Sequence, residues 1–348
     1  MHEFPPRRIP WSFTLIRLNS RRPLTVTAAA LAAAAVLVAG CSSKSKSGSA
    51  SSSAPVPIAS DATASATVSG AFGAAPTIKL LAAKPPKVTE VSVVTRGTGA
   101  TLKVGDLAVV DDFGRTWRSA ATFQDTFGDA EPPDTLPVGT GNIQLTGLDR
   151  ALVGVPVGSR VLVLLPPDAG FGNVASNLPT GVEKTDTAVL VFDVKAAYAG
   201  NAGPTGTAVA SGGGTLPTVS GGLTSKPVIS IPKTAAPTAL STTTLIQGSG
   251  AVTASGDELI VQYIGEIWAT GKEFDSSWSR NQPAGFSIGV GEVIPGWDKA
   301  LVGVKVGSRL LLVVPPADGY GSTGQSAAGI SGTDTLVFVV DVLGAYPA

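Results

Sequence analysis

The chain is 348 residues long, carries no formal net charge, and has only 14% charged residues. No basic stripe is available to neutralise phosphates, which argues against nucleic-acid binding. There is one histidine, His2, and one cysteine, Cys41. If the first 40 residues are removed, no histidine is left: a Ser/His/Asp triad then lacks its proton acceptor, a Cys/His pair lacks its base, and a structural zinc lacks its ligands.

Catalysis without cofactor or metal is then left to carboxylates, tyrosines, backbone amides or a shaped apolar cavity. The length allows two or three domains. With 42 glycines, 26 prolines and several Val-rich runs, β-rich domains on flexible connectors are expected.

In chain order, Arg7, Arg8, Arg17, Arg21 and Arg22 come first, followed by an apolar run from Leu24 to Val38. The run is short for a membrane span. It ends in Val38-Ala39-Gly40-Cys41 and gives way to Ser, Lys and Gly. Basic region, apolar core and small residues make up the order of a secretory signal peptide. A cysteine directly after them resembles the bacterial lipobox, in which the thiol is acylated before cleavage. An ordinary signal peptide with an incidental cysteine must explain why the chain's one cysteine falls there. Residues 1–40 are read as a lipoprotein signal, with Cys41 the lipidated residue that anchors the protein to the extracytoplasmic face of a bacterial cell membrane. Ser20-Arg21-Arg22-Pro23-Leu24 is a weak match to a twin-arginine signal. Residues 41–75 are Ser/Ala/Gly/Thr-rich and are expected to form a disordered tether.

The remainder is duplicated. Pro76, Ile78, Pro86, Gly97, Gly99, Gly105 and Asp106 recur at one constant spacing as Pro227, Ile229, Pro237, Gly248, Gly250, Gly256 and Asp257. Trp117 answers Trp268 and Phe123 answers Phe274 at the same spacing. Slightly shorter spacings pair Ala151–Val155 with Ala300–Val304, and Thr185-Asp186-Thr187 with Thr333-Asp334-Thr335. The order implies two homologous domains, 76–199 and 226–348, with loop insertions and deletions. Residues 200–225 are Gly/Thr/Ser-rich and read as a flexible linker.

In the second copy, strands are expected at 258–267, 309–314 and 335–342. Trp297, Ala300 and Leu301 have i, i+3, i+4 spacing, which points them to one side of a short helix. A short helix laid across an antiparallel sheet is an α+β arrangement.

These residues resemble the FKBP-type peptidyl-prolyl cis-trans isomerases. The matching motifs are Val261-Gln262-Tyr263-Ile264-Gly265, Gly271-Lys272-Glu273-Phe274-Asp275-Ser276-Ser277, Glu292-Val293-Ile294-Pro295-Gly296-Trp297, Gly319-Tyr320-Gly321 and Leu336-Val337-Phe338. The resemblance implies two tandem FKBP-like domains, each a bent antiparallel sheet wrapped around a short helix. It makes Trp297 the platform under a substrate proline and Tyr263, Phe274, Val293, Ile294 and Phe338 its apolar walls. Asp275 and Tyr320 become the polar groups near the substrate carbonyls, with the Ile294 amide as a further donor, and Ile330 falls in the flap. Implied partners are proline-containing polypeptides, with macrolides as candidate ligands. Ala284 departs from the pattern where an aromatic wall residue is usual, which implies a wider or shallower rim.

A lone Trp or Phe in a β-rich domain is normally core; the ordered set with Asp275 and Tyr320 is what points to a site. The first copy lacks that set. Asp112 stands for Tyr263, Gln124 for Asp275, Leu148 for Trp297, Phe171 for Tyr320 and Leu190 for Phe338. A charge at Asp112 is costly in an apolar cavity, so that cavity is expected to be filled, reshaped or open to solvent.

Two functions follow. The first is a lipid-anchored isomerase that assists folding of exported proteins, active in its C-terminal domain. The second is a non-catalytic lipoprotein that holds proline-containing segments or a partner protein.

Overall fold

A computed structural model describes residues 65–128, 131–175, 177–209 and 213–347. Residues 1–40, expected to be a signal segment, Cys41 and the expected tether as far as residue 64 lie outside the described residues. The described chain is mostly antiparallel sheet with a few short helices, an α+β fold.

The first unit opens with a hairpin of β1 (Ala66–Ser69) and β2 (Thr77–Leu80). Residues 66–69 had been read as part of the tether; here they are a strand. The physical reason is an apolar outer sheet face that needs a cover. Ala66, Val68, Ile78 and Leu80 pack there against Trp117, Leu162, Leu164, Val189 and Val191. The turn is held by the buried Arg160–Asp193 pair: Arg160 also donates to the carbonyls of Gly70 (2.9 Å) and Ala74 (2.6 Å). A buried pair is tolerated when its remaining polar atoms are used in this way.

The chain continues through β3 (Glu90–Thr95), β4 (Leu107–Thr116), β5 (Thr122–Asp125), β6 (Asp134–Pro137), helix α1 (Leu148–Ala151), β7 (Arg160–Leu165) and β8 (Ala188–Tyr198). The sheet order is β3-β7-β8-β4-β5, with β6 also on β4.

The linker expected at 200–225 is partly built into the second unit. β9 (Thr207–Ala208) joins its sheet, and β10 (Thr218–Ser220) pairs with β11 (Val228–Ser230). The Thr205 and Gly206 amides donate to the Gly307 carbonyl at 3.1 and 3.0 Å, which ties the segment down. Val219 and Ile229 cover Trp268, as the first hairpin covers Trp117.

Next come β12 (Ser241–Gln247), β13 (Glu258–Ile267), β14 (Lys272–Ser276), β15 (Ala284–Ser287), helix α2 (Pro295–Leu301), β16 (Arg309–Val314) and β17 (Leu336–Tyr346). The order is β14-β13-β17-β16-β12-β9, with β15 on β13. Two expected strands coincide with β13 and β16, while β17 runs four residues past the expected end at Val342, to Tyr346. Alternation puts Leu259, Val261 and Tyr263 of β13 on the inner face, with Leu310, Leu312 and Val314 of β16 and Phe338, Val340 and Val342 of β17. Trp297, Ala300 and Leu301 of α2 pack into that face, on the side that their spacing predicts.

Candidate functional site

Helix α2 sets the site. Pro295 occupies its first turn, where a missing amide donor is harmless and a fixed φ is already helical. The turn before it needs positive φ at Gly289 (71°) and Gly291 (80°), and both amides donate to the Asp298 carboxylate at 2.7 and 2.8 Å. The carboxylate thereby fixes the segment that carries Val293 and Ile294, both fully buried.

Around Trp297 stand three rings close to perpendicular to the indole: Tyr263, Phe286 and Phe338, each 5.4 Å away between centroids. Phe274 stands on Phe338 at 5.5 Å and 90°. This packing requires a glycine at 265, because a Cβ there would lie 2.6 Å from the Phe274 ring and 2.8 Å from that of Phe338. Ile330 is buried in the same cluster, and Tyr320 packs against it from a half-buried position.

A platform under a substrate proline asks for an exposed indole face; in this structure Trp297 has 0% exposure. It is packed among the three rings, in one buried cluster with Val293, Ile294 and the flap residue Ile330.

The polar wall is a three-residue clamp. The Tyr263 hydroxyl donates to Asp275 Oδ2 at 2.5 Å. Arg280 reaches both residues: Nη1 donates to Asp275 Oδ1, and Nη2 donates to the Tyr263 hydroxyl at 2.6 Å. Its guanidinium carbon also lies 5.6 Å from the Tyr263 ring centroid. Asp275 is 5% exposed. Burial pushes the Tyr263 phenol well above its ordinary range, and the Asp275 charge acts in the same direction. Burial, with Asp275 second, pushes Tyr320 up to about 12. Both phenols are therefore neutral donors at neutral pH.

The eight wall and platform residues expected from sequence, and Ile330, come together in one place. Two members were missed. Arg280 follows Asp275 by five residues across a 3₁₀ turn (Trp278–Arg280), which no strand or helix period connects. Phe286 could have been found, since alternation along β15 puts it on the same face as Ala284. Ala284 itself stays a small residue beside it, 8% exposed.

The first unit has no such arrangement. Leu148, Phe123, Phe171 and Leu190 fill the corresponding space, with Phe123 and Phe171 edge-to-face at 5.2 Å. Asp112 is fully buried and accepts from Thr126 Oγ1 (3.1 Å) and Gln124 Nε2 (3.2 Å). Gln124 Nε2 also donates to Asp134 at 2.6 Å. Of the three outcomes expected for this cavity, it is filled.

The profile of the family described as FKBP-type peptidyl-prolyl cis-trans isomerase matches residues 99–197 and 250–343. A relative named FK506-binding protein, from Streptomyces anulatus, is 38% identical over 118 residues, which are 34% of this chain and 95% of that protein. A probable FK506-binding protein of Corynebacterium glutamicum is 42% identical over 120 residues, 34% of this chain and 98% of the relative. The human peptidyl-prolyl cis-trans isomerase FKBP9 is 30% identical over 243 residues, covering 70% of this chain and 35% of its own length.

Proposed function

The chain belongs to the FKBP-type peptidyl-prolyl cis-trans isomerase family, and from that premise we propose that catalysis resides in its second unit, at the pocket floored by Trp297. In this reading Tyr263, Phe274, Val293, Ile294 and Phe338 are the walls, and Asp275 and Tyr320 act on the substrate carbonyls. The observation that carries it is the contrast at one structural position: Trp297 among three perpendicular rings in one unit, Leu148 under a packed Phe123–Phe171 pair in the other.

Rotation about a peptide C–N bond faces a barrier of roughly 18–20 kcal/mol from amide resonance. X-Pro bonds populate both isomers but exchange over tens to hundreds of seconds. The twisted transition state has lost conjugation and is less dipolar across the amide than the planar ground state. An apolar aromatic pocket therefore disfavours the planar form relative to the twisted one. Each ~1.4 kcal/mol of that difference is tenfold in rate. No nucleophile, metal or proton shuttle is required.

The wider reading is an extracytoplasmic protein, lipid-anchored through Cys41, that acts on proline-containing segments of exported chains. The names of the relatives extend this to macrolides as ligands of the same pocket. The test is isomerisation of a proline peptide by the full chain. Asp275→Ala is expected to lose most of the rate, whereas Gln124→Ala, at the matching position of the first unit, keeps it. The reverse pattern, or equal losses, would refute the assignment. Tight binding of proline peptides with no turnover would favour the non-catalytic reading.

A further inference from the structure

The two units do not merely follow one another along the chain. Leu107 and Val109 of β4 and Ile260 of β13 are buried in one cluster with Ala196, Tyr198, Leu343 and Tyr346. In that cluster each unit presents the same surface to the other. Val109 and Ile260 are equivalent positions of the duplication, as are Tyr198 and Tyr346, whose hydroxyls are 2.7 Å apart. Thr135 and Gly285 are a third such pair, and a Cβ on Gly285 would come within 2.6 Å of the Thr135 methyl. Contact between matching patches is the signature of a two-fold, isologous interface, here formed within one chain.

The symmetry breaks where the interface reaches the site. Gln262 of β13 is fully buried, and its Nε2 donates at 2.7 Å to the carbonyl of Gly200, two residues past the end of β8, where the chain leaves the first unit. Its Oε1 accepts from the Ser277 hydroxyl. That hydroxyl oxygen in turn accepts from the Tyr263 amide at 2.7 Å. Three links thus join the first unit to the residue that holds Asp275.

A second route runs through the turn that carries Arg280. Gln282 Nε2 donates to the Asp106 carbonyl at 3.2 Å, and residue 200 packs so closely that a Cβ there would meet the Asn281 carbonyl at 2.1 Å. The matching position of Gln262 in the first unit, Asp111, is paired at 3.0 Å with Lys195 of its own sheet. The Gln262 link across the interface thus has, at the matching position of the first unit, a pair within one sheet as its counterpart.

We propose that the first unit is a built-in brace for the second unit's pocket, and that Gln262 is the positioning residue through which it acts on Tyr263 and the Arg280 turn. This rests on the reading that the second unit is the catalyst. Gln262 faces away from the pocket, on the outer side of β13, so it tunes geometry and not substrate contact.

The experiment uses the full chain, with Gln262→Met, which keeps volume but removes both hydrogen bonds, and Thr135→Lys, which wedges the interface from the first unit. A misplacement of about 1 Å can cost on the order of 10²-fold. Each variant is expected to lower kcat on the order of tenfold while KM stays within about twofold. Amide exchange at 277–282 is expected to accelerate in both, and the double variant to be no worse than Gln262→Met alone. Asp111→Asn serves as the control and leaves kcat and exchange unchanged. Folded Gln262→Met and Thr135→Lys proteins with wild-type kcat, or with wild-type exchange at 277–282, would overturn the brace. If Gln262→Met does not fold, Thr135→Lys decides by the same two readouts. A wild-type chain that exchanges slowly at 277–282 but never turns over peptide would instead sink the catalytic reading, and the exchange comparison would still decide the brace.

Discussion

Trp297→Leu separates a catalytic floor from a core residue at one position. Leu is what the first unit carries at the matching place, Leu148, inside an otherwise similar scaffold, so the fold should survive. The structure sets the scale of the loss. Three edge-to-face contacts disappear together, each worth ~0.5–1.5 kcal/mol beyond area burial. The second unit should therefore lose about 2–4 kcal/mol of stability. On the substrate side, a flexible branched side chain cannot align a proline ring in the twisted state. That loss should be about 1–3 kcal/mol, the scale of burying one large apolar side chain, or roughly 10- to 100-fold in kcat/KM. The assay is proline-peptide isomerisation beside denaturant unfolding, so that the fraction folded is known at every point. Trp297→Phe, which keeps a flat ring, should recover part of the rate. A folded Trp297→Leu protein that turns over peptide at the wild-type rate would mean that the indole is core and nothing more.

Two further outcomes are expected. Cys41→Ser should leave an unprocessed precursor that incorporates no labelled fatty acid, and normal acylation of the mutant would end the lipid-anchor reading. Stability should also depend on alkaline pH with a definite sign. Tyr263 and Tyr320 are pushed upward chiefly by burial, Tyr320 to about 12. A group raised on folding contributes stability that is fully present below its unfolded value and lost as pH rises through its folded one. Melting temperature should thus be insensitive to these groups between pH 6 and 9, in the neutral range, and should fall above about pH 10. Tyr320→Phe should soften that alkaline fall; an identical slope in wild type and mutant would contradict the burial argument.

Much of the site was legible because it lies on regular elements or in contiguous motifs. Strand alternation fixed the inner face of β13, and the i, i+3, i+4 spacing fixed the buried side of α2. The duplication also revealed which positions differ between the copies. What escaped notice depends on contacts between segments with no shared period. Arg280 sits past a 3₁₀ turn, and its role exists only because Asp275 and Tyr263 are brought to it by two different strands. The hairpin at 66–80 was hidden by composition: its small residues cannot form a core alone but suffice to cover a sheet face that is already built. The burial of Trp297 is likewise a joint property of three rings from separate elements, and no single motif encodes it.

The filled pocket of the first unit and its proposed role as a brace have a common physical basis. A cavity shaped for a substrate gives up dispersion contacts along its lining, and a site held ready to open keeps part of the fold loosely packed. The first unit has neither burden. Phe123 meets Phe171 in one core cluster with Leu148 and Leu190, and the polar wall has become hydrogen bonds among Asp112, Gln124, Thr126 and Asp134. The first unit thus carries a filled interior at the matching place. Docked through equivalent surfaces at Val109 and Ile260, Tyr198 and Tyr346, it offers Gly200 and Asp106 as fixed acceptors for Gln262 and Gln282. On this argument, loss of the first pocket is what makes that unit useful to the second.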